Sequence, residues 1–122
     1  MKRNKKLTLC FDIDNVICKT DKKKDYTLSK PISKNINCIN DLFNKGYYIK
    51  LFTARYMGRS KENIRIAKKR ASNLTIKQLK KWNVSYNEII FGKPSYDLFV
   101  DDKAIFYKGN WSTIIEREIK KI

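Results

Sequence analysis

Asp12, Asp14, Thr53, Lys93, Asp101 and Asp102 each stand at or just after the end of a short apolar run. Any one of them alone would be ordinary, because Asp and Thr commonly end strands and cap helices. Together they form a chemical set. Asp12, Asp14, Asp101 and Asp102 would bring about four negative charges into one place, where they repel strongly at low dielectric. A hard divalent cation resolves that repulsion. With oxygen ligands only, and no His in the chain, Mg²⁺ is the natural choice. Lys93 adds a positive charge and Thr53 a hydroxyl, which suits them to hold the oxygens of a phosphoryl group. A carboxylate can then attack phosphorus in line and form an acyl phosphate.

The elements that must position these groups alternate. The run from Leu7 to Ile13 reads as a strand buried on both faces, ending in Asp12 and Asp14. Lys19 to Lys30 is polar and lysine-rich, a loop or short flap. Ser33 caps a helix whose apolar positions Ile36, Ile39, Leu42 and Phe43 share a face, and Gly46 stops it. Tyr47 to Phe52 is a second strand leading into Thr53. Arg59 to Ala71 reads as a basic helix with a thin stripe of Ile64, Ala67 and Ala71. A further helix starts at the capping box Thr75 to Gln78, with Leu74 and Leu79 as its staple, and ends near Trp82 and Asn83. Glu88 to Phe91 and Tyr96 to Val100 are two more strands, followed by Lys93 and by Asp101-Asp102. Asn110 or Ser112 opens a last helix. This alternation predicts an α/β fold, a three-layer Rossmann-like parallel sheet with helices on both faces, as one domain over residues 1–122. In such folds ligands gather at the carboxyl ends of the strands, where the polar set falls.

Composition narrows the remaining choices. A chain that is 42% hydrophobic and 33% charged, with 4 Gly and 2 Pro, is globular rather than disordered. No apolar run approaches the roughly 20 residues of a membrane span. The basic start at Met1 to Lys6 resembles a signal n-region, but Asp12 and Asp14 break the stretch behind it, so the expectation is a cytoplasmic protein. Cys10, Cys18 and Cys38 lack CxxC spacing and read as reduced thiols. The net charge of +16 fits an anionic partner, whether nucleic acid, a membrane surface or a phosphorylated substrate. It also fits the Lys, Asn and Ile usage of an AT-rich genome. No helix-turn-helix or RNA-binding signature accompanies the charge, which disfavours nucleic acid.

The segments Phe11-Asp12-Ile13-Asp14-Asn15-Val16, Leu51-Phe52-Thr53-Ala54-Arg55, Gly92-Lys93-Pro94 and Phe99-Val100-Asp101-Asp102 resemble, in order, the four motifs of the haloacid dehalogenase superfamily. The resemblance spans roughly residues 7 to 107. Within the superfamily the chain looks most like short phosphatases of bacterial capsular-polysaccharide gene clusters. The resemblance implies Asp12 as nucleophile and metal ligand. It implies Asp14 as the acid that protonates the leaving oxygen and the base that then activates water, with its backbone carbonyl on the metal. Thr53, Ala54, Arg55 and Lys93 would meet the phosphorylated substrate, Arg55 having a surface ion pair as its equal alternative. Asp101 would bind Mg²⁺ directly, and Asp102 directly or through water. Asn15 and Val16 stand where many relatives have Gly and Thr, and are expected to adjust the turn without removing activity.

Asp14 itself favours a phosphatase or phosphomutase, since relatives that cut carbon–halogen bonds lack it. About 38 residues separate Asp14 from Thr53 and a similar number separate Thr53 from Lys93, too few for an inserted cap domain of roughly 50 residues. An open site admits a bulky substrate, even a phosphate on a polymer, or takes its lid from a neighbouring subunit in a homo-oligomer. Tyr47, Tyr48, Tyr56, Tyr86, Trp111 and Phe106 are candidates for such an interface, though most suit a core. The expected activity is a Mg²⁺-dependent phosphomonoesterase acting on a sugar phosphate or other building block or substituent of surface polysaccharide. A polynucleotide end phosphatase is the alternative enzyme. A non-catalytic binding protein would be expected to lack at least one of the acidic or lysine positions, and all are present.

Overall fold

Alternation along the strands sorts the apolar residues onto one side of a small parallel sheet. The computed structural model describes residues 7–105 and 110–122. Within them β1 (Thr8–Asp12), β4 (Tyr48–Thr53) and β5 (Glu88–Phe91) pair in parallel in the order β1-β4-β5. Phe11 lies opposite Leu51, and Leu51 opposite Ile89. A hairpin of β2 (Cys18–Lys19) and β3 (Lys30–Pro31) holds the lysine-rich flap, whose far end is a 3-10 turn at Tyr26–Leu28. The helices are α1 (Ser33–Asn44), α2 (Ile64–Lys81) and α3 (Trp111–Lys120), with a further 3-10 turn at Gly58–Ser60. No helix among the described residues is long and apolar enough to cross a membrane.

The core lies on one face of the sheet. Phe11, Ile49 and Leu51 join Ile36, Ile39 and Leu42 of α1, Leu79 of α2, and Trp111 and Ile115 of α3 in a single buried cluster. Phe11 and Trp111 meet ring to ring at 5.3 Å. The alternate strand positions are different: Thr8, Cys10 and Tyr48 are exposed, and Lys50, Phe52, Glu88 and Ile90 half-buried. Helices on both faces are therefore not found among the described residues. The physical reason is connectivity. Both crossovers, β1 to β4 and β4 to β5, step in the same direction, and right-handed crossovers then place α1 and α2 on the same face. A helix on the other face would have to follow β5, where the chain instead continues as irregular structure.

Other expectations are corrected too. Tyr96 to Val100 is not a strand, and Leu98 and Val100 are 84% and 90% exposed. Thr75 does not open a helix. Asn63 caps Ile66 N–H at 3.1 Å, and α2 runs unbroken through Thr75, which is buried in its middle. The earlier start at Arg59 also fails, and Ile64 is largely exposed rather than part of the stripe. Ser33 is the first residue of α1 rather than its cap, and Ile32 holds the cap position without a side-chain bond. Gly46 and Asn83 end α1 and α2 as expected, both with positive φ. Phe106 lies outside the described residues.

Gly92 joins β5 to Lys93 at φ +97, and a Cβ there would stand 2.7 Å from Ile64 Cγ2. Gly92→Ala should lower the unfolding free energy by about 1–2 kcal/mol, because left-handed backbone strains any side chain. Urea denaturation measures this, and an unchanged midpoint would show that the turn can relax.

Candidate active site

Three chain segments converge at the carboxyl ends of β1, β4 and β5. The first follows β1. Asp12 ends the strand, and its Oδ1 accepts the Ile13 N–H at 2.9 Å. The chain then curls tightly, with Ile13 O accepting from the N–H groups of Val16, Ile17 and Cys18. Asn15 takes up the turn at φ +66, an uncommon angle for a residue other than glycine. The second segment follows β4, and the third follows β5, where Lys93 N–H donates to Thr53 O at 3.1 Å. The cleft between them has a volume of about 250 Å³. Asp12, Asp14, Ala54, Arg55 and Lys93 line it, together with the flap residues Lys24 and Tyr26.

Asp12 and Lys93 form one charge pair, with Lys93 Nζ 3.3 Å from Asp12 Oδ2. Burial pushes the Asp12 carboxyl above its ordinary range, while Lys93 and the Ile13 N–H pull in the opposite direction. Desolvation works against the Lys93 ammonium, but Tyr96 and the Asp12 charge outweigh it and hold the proton more tightly than usual. The ammonium also lies 5.4–5.9 Å from the ring centres of Phe52, Tyr96 and Phe99. This is an aromatic cradle beside the charge.

Asp14 and Arg55 form the second pair, and it is buried. The Arg55 side chain is fully removed from solvent and that of Asp14 is 20% exposed. Arg55 Nε donates to Asp14 Oδ2 at 3.0 Å and Nη2 to Oδ1 at 2.9 Å, a fork-to-fork arrangement. Nη1 donates to Thr75 Oγ1 at 3.1 Å and to Gln78 Oε1 at 2.6 Å. Thr20 Oγ1 donates a further bond to Asp14 Oδ1 at 2.6 Å. Arg55 thus makes a buried rather than a surface ion pair and fixes Asp14, while also lining the cleft. The sequence reading missed Thr75 and Gln78 as its partners. The available signal was two polar residues three apart, continuing the buried stripe of Ala67 and Ala71 on α2.

Thr53 is entirely buried, and its Oγ1 accepts the Arg55 N–H at 3.0 Å. Ala54 and Arg55 form the cleft wall in front of it. Asp101 and Asp102 are exposed and do not line the cleft. Asp101 Oδ1 accepts from Lys103 N–H at 3.2 Å, a local turn contact. Among the described residues no group of three or more acidic, Cys or His side chains is close enough together to hold a metal ion. Mg²⁺ demands near-octahedral oxygen ligation. Of the proposed ligands Asp12 is engaged by Lys93 and Asp14 by Arg55, so the residues as they lie do not fit a bound ion.

No protein-family model matches the chain, and no curated protein does. Among solved structures it is similar to a structural-genomics target protein from Vibrio cholerae, at 24% identity and a TM-score of 0.82. The match covers 93% of this chain and 94% of that one. The two chains share a fold over nearly their whole length.

Two stability predictions follow from the charge pairs. Arg55→Met should lower the unfolding free energy by about 3–5 kcal/mol, because it leaves Asp14 without its partner in a largely buried setting. Urea denaturation by circular dichroism checks this, and a loss below about 1 kcal/mol would mean that water replaces the guanidinium. For Asp12, a folded-state carboxyl held above its unfolded value favours folding below the unfolded value and loses that advantage as pH rises through the folded one. Asp12→Asn should therefore unfold later than wild type at neutral pH, with the gap closing below about pH 4. Thermal melts across that range read the sign directly.

Proposed function

We propose that the protein is a phosphomonoesterase of the haloacid dehalogenase type, without a cap, that works through a phospho-aspartate on Asp12. The carrying observation is a half-exposed carboxylate at the end of the first strand, set against an ammonium, beside a second carboxylate anchored by a buried arginine. The order of elements and the likeness to the Vibrio cholerae fold are compatible with a Rossmann-like domain of that superfamily.

In this reading an oxygen of Asp12 attacks phosphorus, and the bond from phosphorus to the ester oxygen breaks. Asp14, which pairs with Arg55 as a carboxylate, takes up a proton from water before the reaction and gives it to the departing oxygen. Water, losing its proton to Asp14, then attacks the acyl phosphate. The bond from phosphorus to Asp12 breaks, releasing inorganic phosphate and restoring the carboxylate. Lys93 neutralises the phosphoryl oxygens throughout. Arg55 and Thr20 hold Asp14 in place for both proton transfers, and Thr53 supports the turn that presents Ala54 and Arg55. The half-exposed Asp12 carboxylate is open to the substrate on one side and held by Lys93 on the other.

Dependence on Mg²⁺ belongs to this reading and requires the segment 96–102 to move, bringing Asp101 and Asp102 to Asp12. Two features support such a movement. The outer edge of β1 has no strand partner among the described residues. The strand-forming residues Leu98, Phe99 and Val100 are exposed beyond what apolar side chains favour. The substrate class is a phosphorylated sugar or another building block or substituent of surface polysaccharide. An uncapped cleft suits a bulky or polymer-linked phosphate.

Phosphate release by wild type should depend on Mg²⁺ and fall at least about 10³-fold in Asp12→Asn, since the nucleophile is lost. The assay panel holds sugar phosphates, amino-alcohol phosphates, nucleotides and phosphorylated oligonucleotides. A best substrate among the oligonucleotides, with steep salt dependence, would select a polynucleotide end phosphatase instead. No release from any compound would favour a binding protein. Independently of turnover, Mg²⁺ should slow amide hydrogen exchange across residues 96–102, and Asp101→Asn should remove that protection. Unchanged exchange would show that the ion does not dock this segment.

A further inference from the structure

Beyond the two charge pairs, the cleft carries cations that those pairs leave over. Its lining includes the carboxylates Asp12, Asp14 and Asp21 and the cations Lys24, Arg55, Arg59 and Lys93. Arg55 is committed to Asp14 and Lys93 to Asp12. Asp21 Oδ1 accepts the Asp25 N–H within the flap and keeps its charge, so the lining as a whole is left with one positive charge in excess. Lys24 and Arg59 remain, and among the described residues neither has a carboxylate within ion-pair distance.

Arg59 is exposed yet held. Its Nη2 donates to Lys23 O at 3.2 Å and to Lys24 O. Its guanidinium carbon lies 5.2 Å from the Tyr26 ring centre and 5.1 Å from that of Tyr56. Among the described residues its Nε and Nη1 donate to nothing, so they remain available to an acceptor in the cleft. Lys24 comes from the other side of the same junction, where Arg59 ties the flap to the turn after β4. Its backbone sits at φ +56, and that of Tyr56 at φ +64. With Asn15 at φ +66, three left-handed residues other than glycine line this one cleft. Such angles persist only where the surroundings enforce them, and they cluster at ligand sites.

We propose that Lys24 and Arg59 form a second anion subsite in the cleft that Asp12 and Lys93 line, so that the preferred substrate is a phosphomonoester whose leaving group carries a second negative charge. The inference rests on the phosphatase reading for the fate of the phosphoryl group, but the subsite itself is a matter of binding. A carboxylate or second phosphate on the leaving group would accept from Arg59 Nε and Nη1 and pair with the Lys24 ammonium. The stacked guanidinium is already oriented, so little side-chain freedom is lost when it binds. A neutral leaving group would leave both cations unpaired.

The test compares 6-phosphogluconate with glucitol 6-phosphate, open-chain compounds that differ only in a carboxylate in place of a hydroxymethyl group. Titration calorimetry on wild type without Mg²⁺, where the proposed hydrolysis does not run, should show at least a tenfold tighter affinity for 6-phosphogluconate. In Lys24→Ala/Arg59→Ala that ratio should fall to about one, and in Lys24→Glu it should drop below one. Lys24→Glu leaves the tyrosine-stacked Arg59 in place, so it answers even if the double variant folds poorly. A wild-type ratio near one, or variants that lose both compounds equally, would overturn the subsite. Hydrolysis of the same pair separates the two claims. A binding preference without phosphate release would sink the phosphatase reading and keep the subsite, whereas release from both compounds at equal kcat/KM with no binding preference would do the reverse.

Discussion

A guanidinium with no exposure to solvent is an expensive group to bury, and Arg55 is tolerable only because acceptors surround it. Removing such a charge from water carries a penalty of several kcal/mol that ion pairing alone need not repay. Here the carboxylate of Asp14 takes one edge of the fork, while Thr75 and Gln78 take Nη1. The Tyr26 ring lies 4.8 Å from the guanidinium carbon, and Gln78 Nε2 donates to Tyr26 O at 2.6 Å. One side chain therefore fastens the loop after β1, the turn after β4, the middle of α2 and Tyr26 of the flap. The cleft exists because these four segments are held around a common charge.

The same arrangement divides the two aspartates by environment. Asp14 is anchored through both oxygens and cannot swing without breaking the buried pair. Asp12 has a looser hold, with side-chain exposure of 35% and a lysine at 3.3 Å. Two carboxylates separated by one residue thus have different freedom and different access to a ligand. Under the phosphatase proposal, that asymmetry is what separates a nucleophile from a proton-transfer group.

The one-sided sheet has consequences for the site. The face away from the helices presents Lys50, Phe52 and Glu88, and Lys93 extends toward Phe52 at its edge. The connection from β5 to Asp101 carries no helix. Asp101 and Asp102 lie on an exposed segment and do not line the cleft.

Much of this was legible in the residues. Strand-forming runs, helix stops at Gly46 and Asn83, and polar groups at strand ends identified the α/β class, the parallel strands and the convergence of Asp12, Asp14 and Lys93, because these follow from local pattern. The same pattern wrongly placed Thr53, Asp101 and Asp102 in that cleft. Where an interaction joins distant segments, the sequence was silent or misleading. Thr75 and Gln78 match a capping box in isolation, yet they face Arg55, because a buried charge outweighs a cap. Tyr96 to Val100 has strand composition, but a strand also needs a neighbour to pair with, and pairing is decided by tertiary structure. The direction of the two crossovers set the helices on one face, which no periodicity encodes. In the sequence, the Lys19 to Lys30 flap and the basic stretch from Arg59 to Arg70 both follow motif strands and so could reach the rim of the site. A merely solvated lysine-rich surface fitted them equally. Only the folding of the flap against the turn after β4 brings Lys24 and Arg59 into the cleft as a pair, because a backbone carbonyl of one accepts the guanidinium of the other.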